Sequence, residues 1–360
     1  MSKAAELAAL IGSQTALSNR NLVINGAAEV YQRGASATAH NSYSVDRWQI
    51  KNTSGATCTH EQSTDAPAPF KNSVKYTAGG TSCTAAQVAG IAQRMEGTST
   101  TSVGLGTSAA QPVTLSFYVK SSVTGTYAVS IRNNDTDLSF VNTYTINSAN
   151  TWEHKTVTFS AQTAGTWLNT TGIGVRLWFD LGSGDNFNAD ATGQWRSSAN
   201  YLTVSNQADV VGTSGATWFV TGVQLELGEQ ATPFEHRSFG DELKQCERYY
   251  EKTYQYSTAP GTAVSYDGNM PIRINGFNNT GNEQKYLVIR LRTEKRASPT
   301  TTYYNEAGNT GRCSTYDAGG TADNGINIGL SISGTSMQGF GPSNGTFSGI
   351  GCYMTHDAEL

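Results

Sequence analysis

Residues Val113 to Lys120 read VTLSFYVK, with Val113, Leu115, Phe117 and Val119 at alternate positions and Thr114, Ser116, Tyr118 and Lys120 between them. Side chains of an extended chain point to opposite faces in turn, so this spacing predicts a half-buried antiparallel strand with one apolar and one polar face. The same period returns at Tyr127, Val129 and Ile131, at Ile173, Val175, Leu177, Phe179 and Leu181, and at Phe219, Thr221, Val223, Leu225 and Leu227. Trp152 to Phe159 adds a further strand. Between them lie turn-forming clusters such as Arg132 to Asp137 (RNNDTD) and Leu181 to Asn188 (LGSGDNFN). Many strands with turn signals and no helical period between them predict an all-β, jelly-roll β-sandwich over residues 21–237.

The composition agrees. In 360 residues there are 38 Gly and 17 Tyr, and only 14% are charged, the profile of an exposed β-protein rather than of long helices. The length suffices for two buried cores. A net charge of -4 supplies no counterion-release term toward phosphate backbones or anionic lipid, and no stretch approaches a membrane span, so neither nucleic acid nor membrane insertion is expected. The five cysteines, Cys58, Cys83, Cys246, Cys313 and Cys352, are odd in number and lack metal-ligand spacing. They read as reduced, buried thiols, with Cys58 and Cys83 the pair that an oxidising medium would join if they lie close. No metal or cofactor is expected.

Outside the sandwich, Ser2 to Ile11 (SKAAELAALI) predicts a short helix capped by Ser2 and stopped by Gly12, with Leu7, Leu10 and Ile11 on one stripe. So short a helix is marginal alone. It packs either on its own domain or, as a docking element, on copies of itself or another protein, and residues 1–20 are read as that helix and a linker. Ser238 and Asp241 resemble a capping box at the start of SFGDELKQCERYY, which predicts a connecting helix over 238–252. A smaller C-terminal β-domain is expected over 253–360. Its plainest strand, Lys285 to Arg292 (KYLVIRLR), is apolar on both faces, as suits burial between sheets or at a subunit boundary.

The two ends of the sandwich carry a signature. Asn21 to Gly34 (NLVINGAAEVYQRG), Tyr43 to Trp48 (YSVDRW), Val223 to Arg237 (VQLELGEQATPFEHR) and Cys246 to Lys252 (CERYYEK) resemble a module of tail-fibre and appendage proteins of tailed phages. Arg296 to Thr302 (RASPTTT) and His356 to Leu360 (HDAEL) are similar to the tails of such proteins. The opening NLVINGAAE and the closing GVQLELGEQATPFE also resemble carbohydrate-binding jelly rolls attached to bacterial glycoside hydrolases. The resemblance brackets residues 21–360. It implies a homotrimeric structural protein of the virion, a tail fibre that attaches to host-surface glycans and docks on tail or capsid proteins through the N-terminal helix. A capsid-surface head fibre or decoration protein is the alternative, and a glycan-cleaving tailspike comes last. The absence of an apolar leader in Met1 to Gln14 fits release by lysis within a particle. Related modules hold a calcium near the first strand, but Ala27 and Ala28 stand here where ligands would help.

Sugar binding needs flat aromatic faces beside amide, carboxylate or hydroxyl groups. Trp178 alternates with the core residues Leu177 and Phe179, so it is expected to point outward on one face with Arg176 and Asp180. Asp185, Asn186 and Trp195 follow in the next loop, with Tyr201 beyond them and Tyr118 on its own strand. Packing against a loop or neighbouring subunit is the competing use of each ring. Asp180, Asp185 and Asp190 are the carboxylates available for hydrolysis, which would need a pair across a cleft. Acidic residues on a Gly/Asn loop more often form turns. No nucleophile elbow or zinc-binding helix motif is present, and His154 and His236 are isolated, so no catalytic residue and no enzyme is expected. Arg290, Arg292, Lys295 and Arg296 form a basic cluster, readable as a grip for acidic polysaccharide or as a solvated strand end.

Overall fold

The computed structural model describes residues 19–34, 36–189, 191–197, 200–264, 272–275, 284–316, 321–322, 326–330, 334–340 and 349–360. The predicted helix with Leu7, Leu10 and Ile11, and also Asp190, lie outside the described residues. The chain forms two compact units. The larger takes Ser36–Glu242 with the residues up to Tyr31 and Leu360, and the smaller takes Leu243–Glu359 with a short insert from Gln32.

In the larger unit the strands run β1 (Gln49–Asn52), β2 (Thr59–Ser63), β3 (Ser73–Thr77), β4 (Ala89–Glu96), β5 (Val113–Ser121), β6 (Gly125–Arg132), β7 (Leu138–Ile146), β8 (Glu153–Phe159), β9 (Ile173–Asp180), β10 (Trp195–Ser197) and β11 (Thr217–Leu227). They form a six-stranded sheet in the order β1-β4-β9-β6-β7-β10 and a five-stranded sheet in the order β2-β3-β11-β5-β8. Successive strands trade between the sheets, which gives a jelly-roll sandwich. The alternating residues do what their period predicts: Leu115, Phe117 and Val119 of β5 share one core with Val129 and Ile131 of β6 and Leu177 and Phe179 of β9. Phe117 sits edge-on to Phe179 at 5.1 Å and to Tyr144 at 5.0 Å. Each such buried side chain contributes roughly 1.5–3 kcal/mol.

One strand departs from the simple alternation. Phe219, Thr221, Val223 and Leu225 were expected on one face, yet the core takes Trp218 and Val220, then Val223 and Leu225. A β-bulge between Thr221 and Gln224 supplies the extra residue that flips the phase. Gly222 makes it, with φ +60. Phe219 therefore lies outside the sandwich core, under Lys120 Nζ at 4.5 Å and beside Trp152.

The signature residues knit the opening of the chain to its last strand. Asn21 donates to Val223 O at 3.0 Å and accepts from Leu225 N at 3.1 Å. Asn25 donates to Val30 O and Asp46 O at 2.8 and 2.9 Å, and accepts from Val30 N at 2.9 Å. Trp48 Nε1 donates to Asn25 O at 2.9 Å. A Cβ on Gly26 would sit 2.1 Å from Val223 O, so only glycine fits. Ala27 and Ala28 are buried in this turn.

Helix α1 (Phe239–Glu247), whose residues from Leu243 on belong to the smaller unit, begins as predicted: Asp241 N donates to Ser238 Oγ at 3.2 Å. It stops at Glu247, short of the expected Lys252. Tyr250–Lys252 is instead a strand, paired with Gly349–Asp357. Gly349–Asp357 also pairs with Ile272–Asn275, Thr300–Tyr304 and Cys313–Tyr316. The basic cluster does not face solvent as a unit. Lys295 is buried against Glu251 at 2.7 Å, Arg292 meets Glu247 at 2.9 Å, and Arg296 donates to the main-chain oxygens of Ala358 and Glu359. Of these only Lys295 is buried, and its burial requires the pairing with Glu251, while Arg290 and Arg292 stay exposed. Gln284–Arg290 is a strand, and its Val288 is 70% exposed. No disulfide joins Cys58 and Cys83.

Candidate functional site

The residues singled out by sequence do not converge on one open surface. Trp178 points away from the sandwich core as expected, but only 2% of it is exposed. Leu202, Phe187, Ala92 and Val88 enclose it, because the chain after β9 folds back over the outer face of the six-stranded sheet. Tyr201 belongs to the same cover, packed with Val204 on Ala128 and Val141. The Trp178 indole donates to Asp180 at 2.9 Å, and the carboxylate also accepts from Gly182 N and Ser183 N at 2.9 and 3.0 Å. Burial pushes the Asp180 carboxyl up, against those hydrogen bonds. Trp178 thus presents no free face for stacking.

The other candidates are dispersed. Asp185 and Asn186 are exposed, and Asp185 lines a small hollow of about 180 Å³ together with Asp209. Trp195 lies on β10, edge-on to Phe140 and Trp167 at 5.4 and 5.6 Å, with its indole donating to Ser160 O at 2.8 Å. Arg176 stands on the outer face of β9, where its Nη2 donates to Asn134 O at 3.0 Å.

An aromatic hollow forms on the other sheet. On the outer face of the five-stranded sheet, Phe70, Tyr118, His154, Phe234 and His236 line a space of about 480 Å³, within the roughly 300–1,000 Å³ usual for small-ligand pockets. Phe70 is its centre, 5.5 Å from Tyr118, 5.1 Å from Phe234 and 5.6 Å from His236, against which it stacks. Tyr118 lies 4.8 Å from His154. Phe70 rests on the bulge: a Cβ at Gly222 would come within 2.5 Å of its Cζ. The segment carrying Phe234 is held by buried groups. Glu226 accepts from Thr232 N at 2.8 Å, and Gln224 accepts from Glu235 N at 2.7 Å. The rings are therefore set before any ligand arrives.

Chemically the hollow combines apolar ring faces with Ser116 and two imidazoles. Burial lowers the His154 pKa below its ordinary 6.5, so near neutral pH the ring is uncharged and offers one donor and one acceptor. Among the described lining residues none is Asp or Glu. Sequence reasoning named Tyr118 but missed Phe70, Phe234 and the joint role of the histidines, because they come from separate loops. One signal was present: Phe70 and Phe234 each follow a proline, Pro69 and Pro233, an arrangement that places an aromatic on a stiffened loop.

Neither a protein-family model nor a curated protein matches the sequence. Among solved structures, the enzymatically active domain of tailspike protein 4 of bacteriophage CBA120 is 15% identical over 58% of this chain, with a TM-score of 0.32. The match spans 22% of that domain's chain. A family 4 carbohydrate-binding module is 15% identical over 57% of this chain and 98% of its own, with a TM-score of 0.30. The family 11 carbohydrate-binding module of a cellulosomal cellulase of Clostridium thermocellum is 11% identical over 55% and 97%, with a TM-score of 0.27. These values lie below the level that defines a shared fold, and the chemistry of the site rests on its own residues.

Proposed function

We propose that this chain is a non-catalytic, glycan-binding structural protein of a tailed-phage particle, a trimeric tail fibre that holds neutral sugar in the Phe70 hollow. The observation that carries the binding reading is the hollow itself: preset aromatic faces with hydroxyl and imidazole groups beside them, the combination a pyranose ring needs. A lining without a described carboxylate offers no acid/base pair for glycosidic cleavage and supports binding over hydrolysis. The virion assignment is supported by the signature segments of the sequence. A site of this size holds a short glycan weakly, and copies arrayed on a trimer and on a particle multiply that affinity.

Two measurements test the reading. Titration calorimetry of the full chain with neutral oligosaccharides of host envelopes should show saturable binding, and Tyr118→Ala should weaken it by about 1–2 kcal/mol, roughly 5- to 30-fold. Unchanged affinity in a folded Tyr118→Ala protein would remove the hollow from the site. Antibody labelling of intact particles, viewed by electron microscopy, should decorate the tail. Label over the head would replace the tail fibre with a head fibre, and release of reducing ends from polysaccharide would replace binding with cleavage.

A further inference from the structure

The outer face of the six-stranded sheet carries a row of like charges. Arg94 of β4 is directly opposite Arg176 of β9, which is directly opposite Arg132 of β6. The row continues through Ser139 of β7 to Arg196 of β10. At about 4.8 Å between strands, the line runs on the order of 19 Å. Like charges directly opposite each other in a sheet are destabilising, so the row imposes a cost on folding.

Carboxylates offset that cost only in part: Asp180 favours the charge of Arg132 and Asp135 that of Arg176, each less than burial and the neighbouring arginines oppose it. Arg94 Nη1 meets a carboxylate oxygen of Leu360, the final residue of the chain, Arg132 Nη1 the side-chain oxygen of Asn200, and Arg176 Nη2 the main-chain oxygen of Asn134 at 3.0 Å. Among the described residues, none of the three is ion-paired with Asp or Glu. Arg132 is only 7% exposed, yet its Nε has no hydrogen-bond partner, and neither has Nε of Arg176. Asp180, the nearest buried acid in the strand, is already satisfied by Trp178, Gly182 and Ser183. Burial first, then the neighbouring arginines, lowers Arg132 to about 9, and the same causes lower Arg176 to about 10. Lys51 at the flank is lowered to about 7, chiefly by burial and then by Arg94, Arg176 and Arg132. Guanidinium groups kept close and partly dried are matched to planar oxyanions, which they bind through paired N–H donors.

We infer that the partly exposed members of this row, the neighbouring Arg94 and Arg176, form a second binding site, distinct from the aromatic hollow, that takes the oxyanion groups of an acidic polysaccharide. Nucleic acid fits less well, because Trp178 beside the row is closed to base stacking.

The test uses the full chain, with polygalacturonate as carboxylate probe, dextran sulfate as sulfate probe, neutral dextran, and oligothymidylate. The double substitution Arg94→Gln/Arg176→Gln removes accessible members of the row and relieves repulsion, so its melting temperature should equal or exceed that of the parent. Lys71→Gln, at an exposed site elsewhere, controls for general charge. An acidic polysaccharide should bind with a salt-dependent affinity that falls at least tenfold in the double variant and is kept in Lys71→Gln, the better of the two acidic probes identifying the oxyanion. Equal binding by the folded double variant, an equal loss in Lys71→Gln, or preference for oligothymidylate would each overturn the inference. Neutral-sugar binding that Tyr118→Ala weakens and the double variant retains belongs to the hollow, so the two sites fail separately.

Discussion

Lys51 shows how a single charge reports its surroundings. Its folded pKa is about 7, against an ordinary 10.5, because burial and then Arg94, Arg176 and Arg132 oppose its proton. Between those two values the unfolded chain holds a proton that the folded chain has shed. Stability therefore rises with pH across that window, and the protonated lysine is most costly below pH 7. Lys51→Met should raise the urea midpoint at pH 6, with the gain shrinking toward pH 10; a gain of constant size would show that the ammonium is not strained by its neighbours. At the same scale, Asn21, Asn25 and Gly26 act by fixing backbone. The signature segments thus form much of the scaffold of the sandwich; Phe70, Tyr118 and His154 of the hollow lie outside them, while Phe234 and His236 belong to the closing segment.

At the scale of elements, the bulge in β11 joins fold to site. It turns Phe219 outward, lets Val223 and Leu225 reach the core, and leaves beside Gly222 the gap in which Phe70 rests. Gly222→Ala demands φ +60 of a residue with a Cβ and pushes on Phe70. The expected cost is roughly 1–3 kcal/mol, with neutral-sugar affinity lost in step. Calorimetric unfolding together with a binding titration checks both, and a variant as stable and as tight-binding as the parent would separate bulge from hollow. The strands β5, β6 and β9 were legible because each keeps period two without interruption. The phase of β11 was not, since a bulge adds one residue without altering composition. The outward direction of Trp178 was legible too, but its cover was not: Phe187 and Leu202 look like ordinary loop residues until the chain is seen to fold back. The arginine row was hidden for a related reason, as Arg94, Arg132 and Arg176 are far apart in sequence and only strand register aligns them.

On the scale of the whole molecule, one source of acid sensitivity lies in the smaller unit. In the smaller one His356 is buried, with Nδ1 2.9 Å from Thr301 Oγ1, and burial lowers its pKa to about 4, with Lys295 adding to the effect and Glu251 opposing it. The unfolded chain takes up this proton near pH 6.5 and the folded one near 4, so the contribution is fully present above 6.5 and is lost as pH falls toward 4. Denaturation midpoints should decline across that interval, and His356→Gln should flatten the decline; an equally steep decline in that variant would assign the acid response elsewhere. The threading of the chain carries a separate consequence. Gln32 and Arg33 lie near the start of the sequence but belong to the smaller unit, where Gln32 Nε2 donates to Tyr250 O at 2.8 Å and the Arg33 guanidinium sits 3.8 Å over the Tyr250 ring. A genetic crossover that exchanged everything after Glu242 would import a terminal segment adapted to a different pair at these positions. Recombinants that inherit Gln32 and Arg33 together with the residues around Tyr250 should therefore outcompete those joined at the visible boundary, making heredity less modular than architecture.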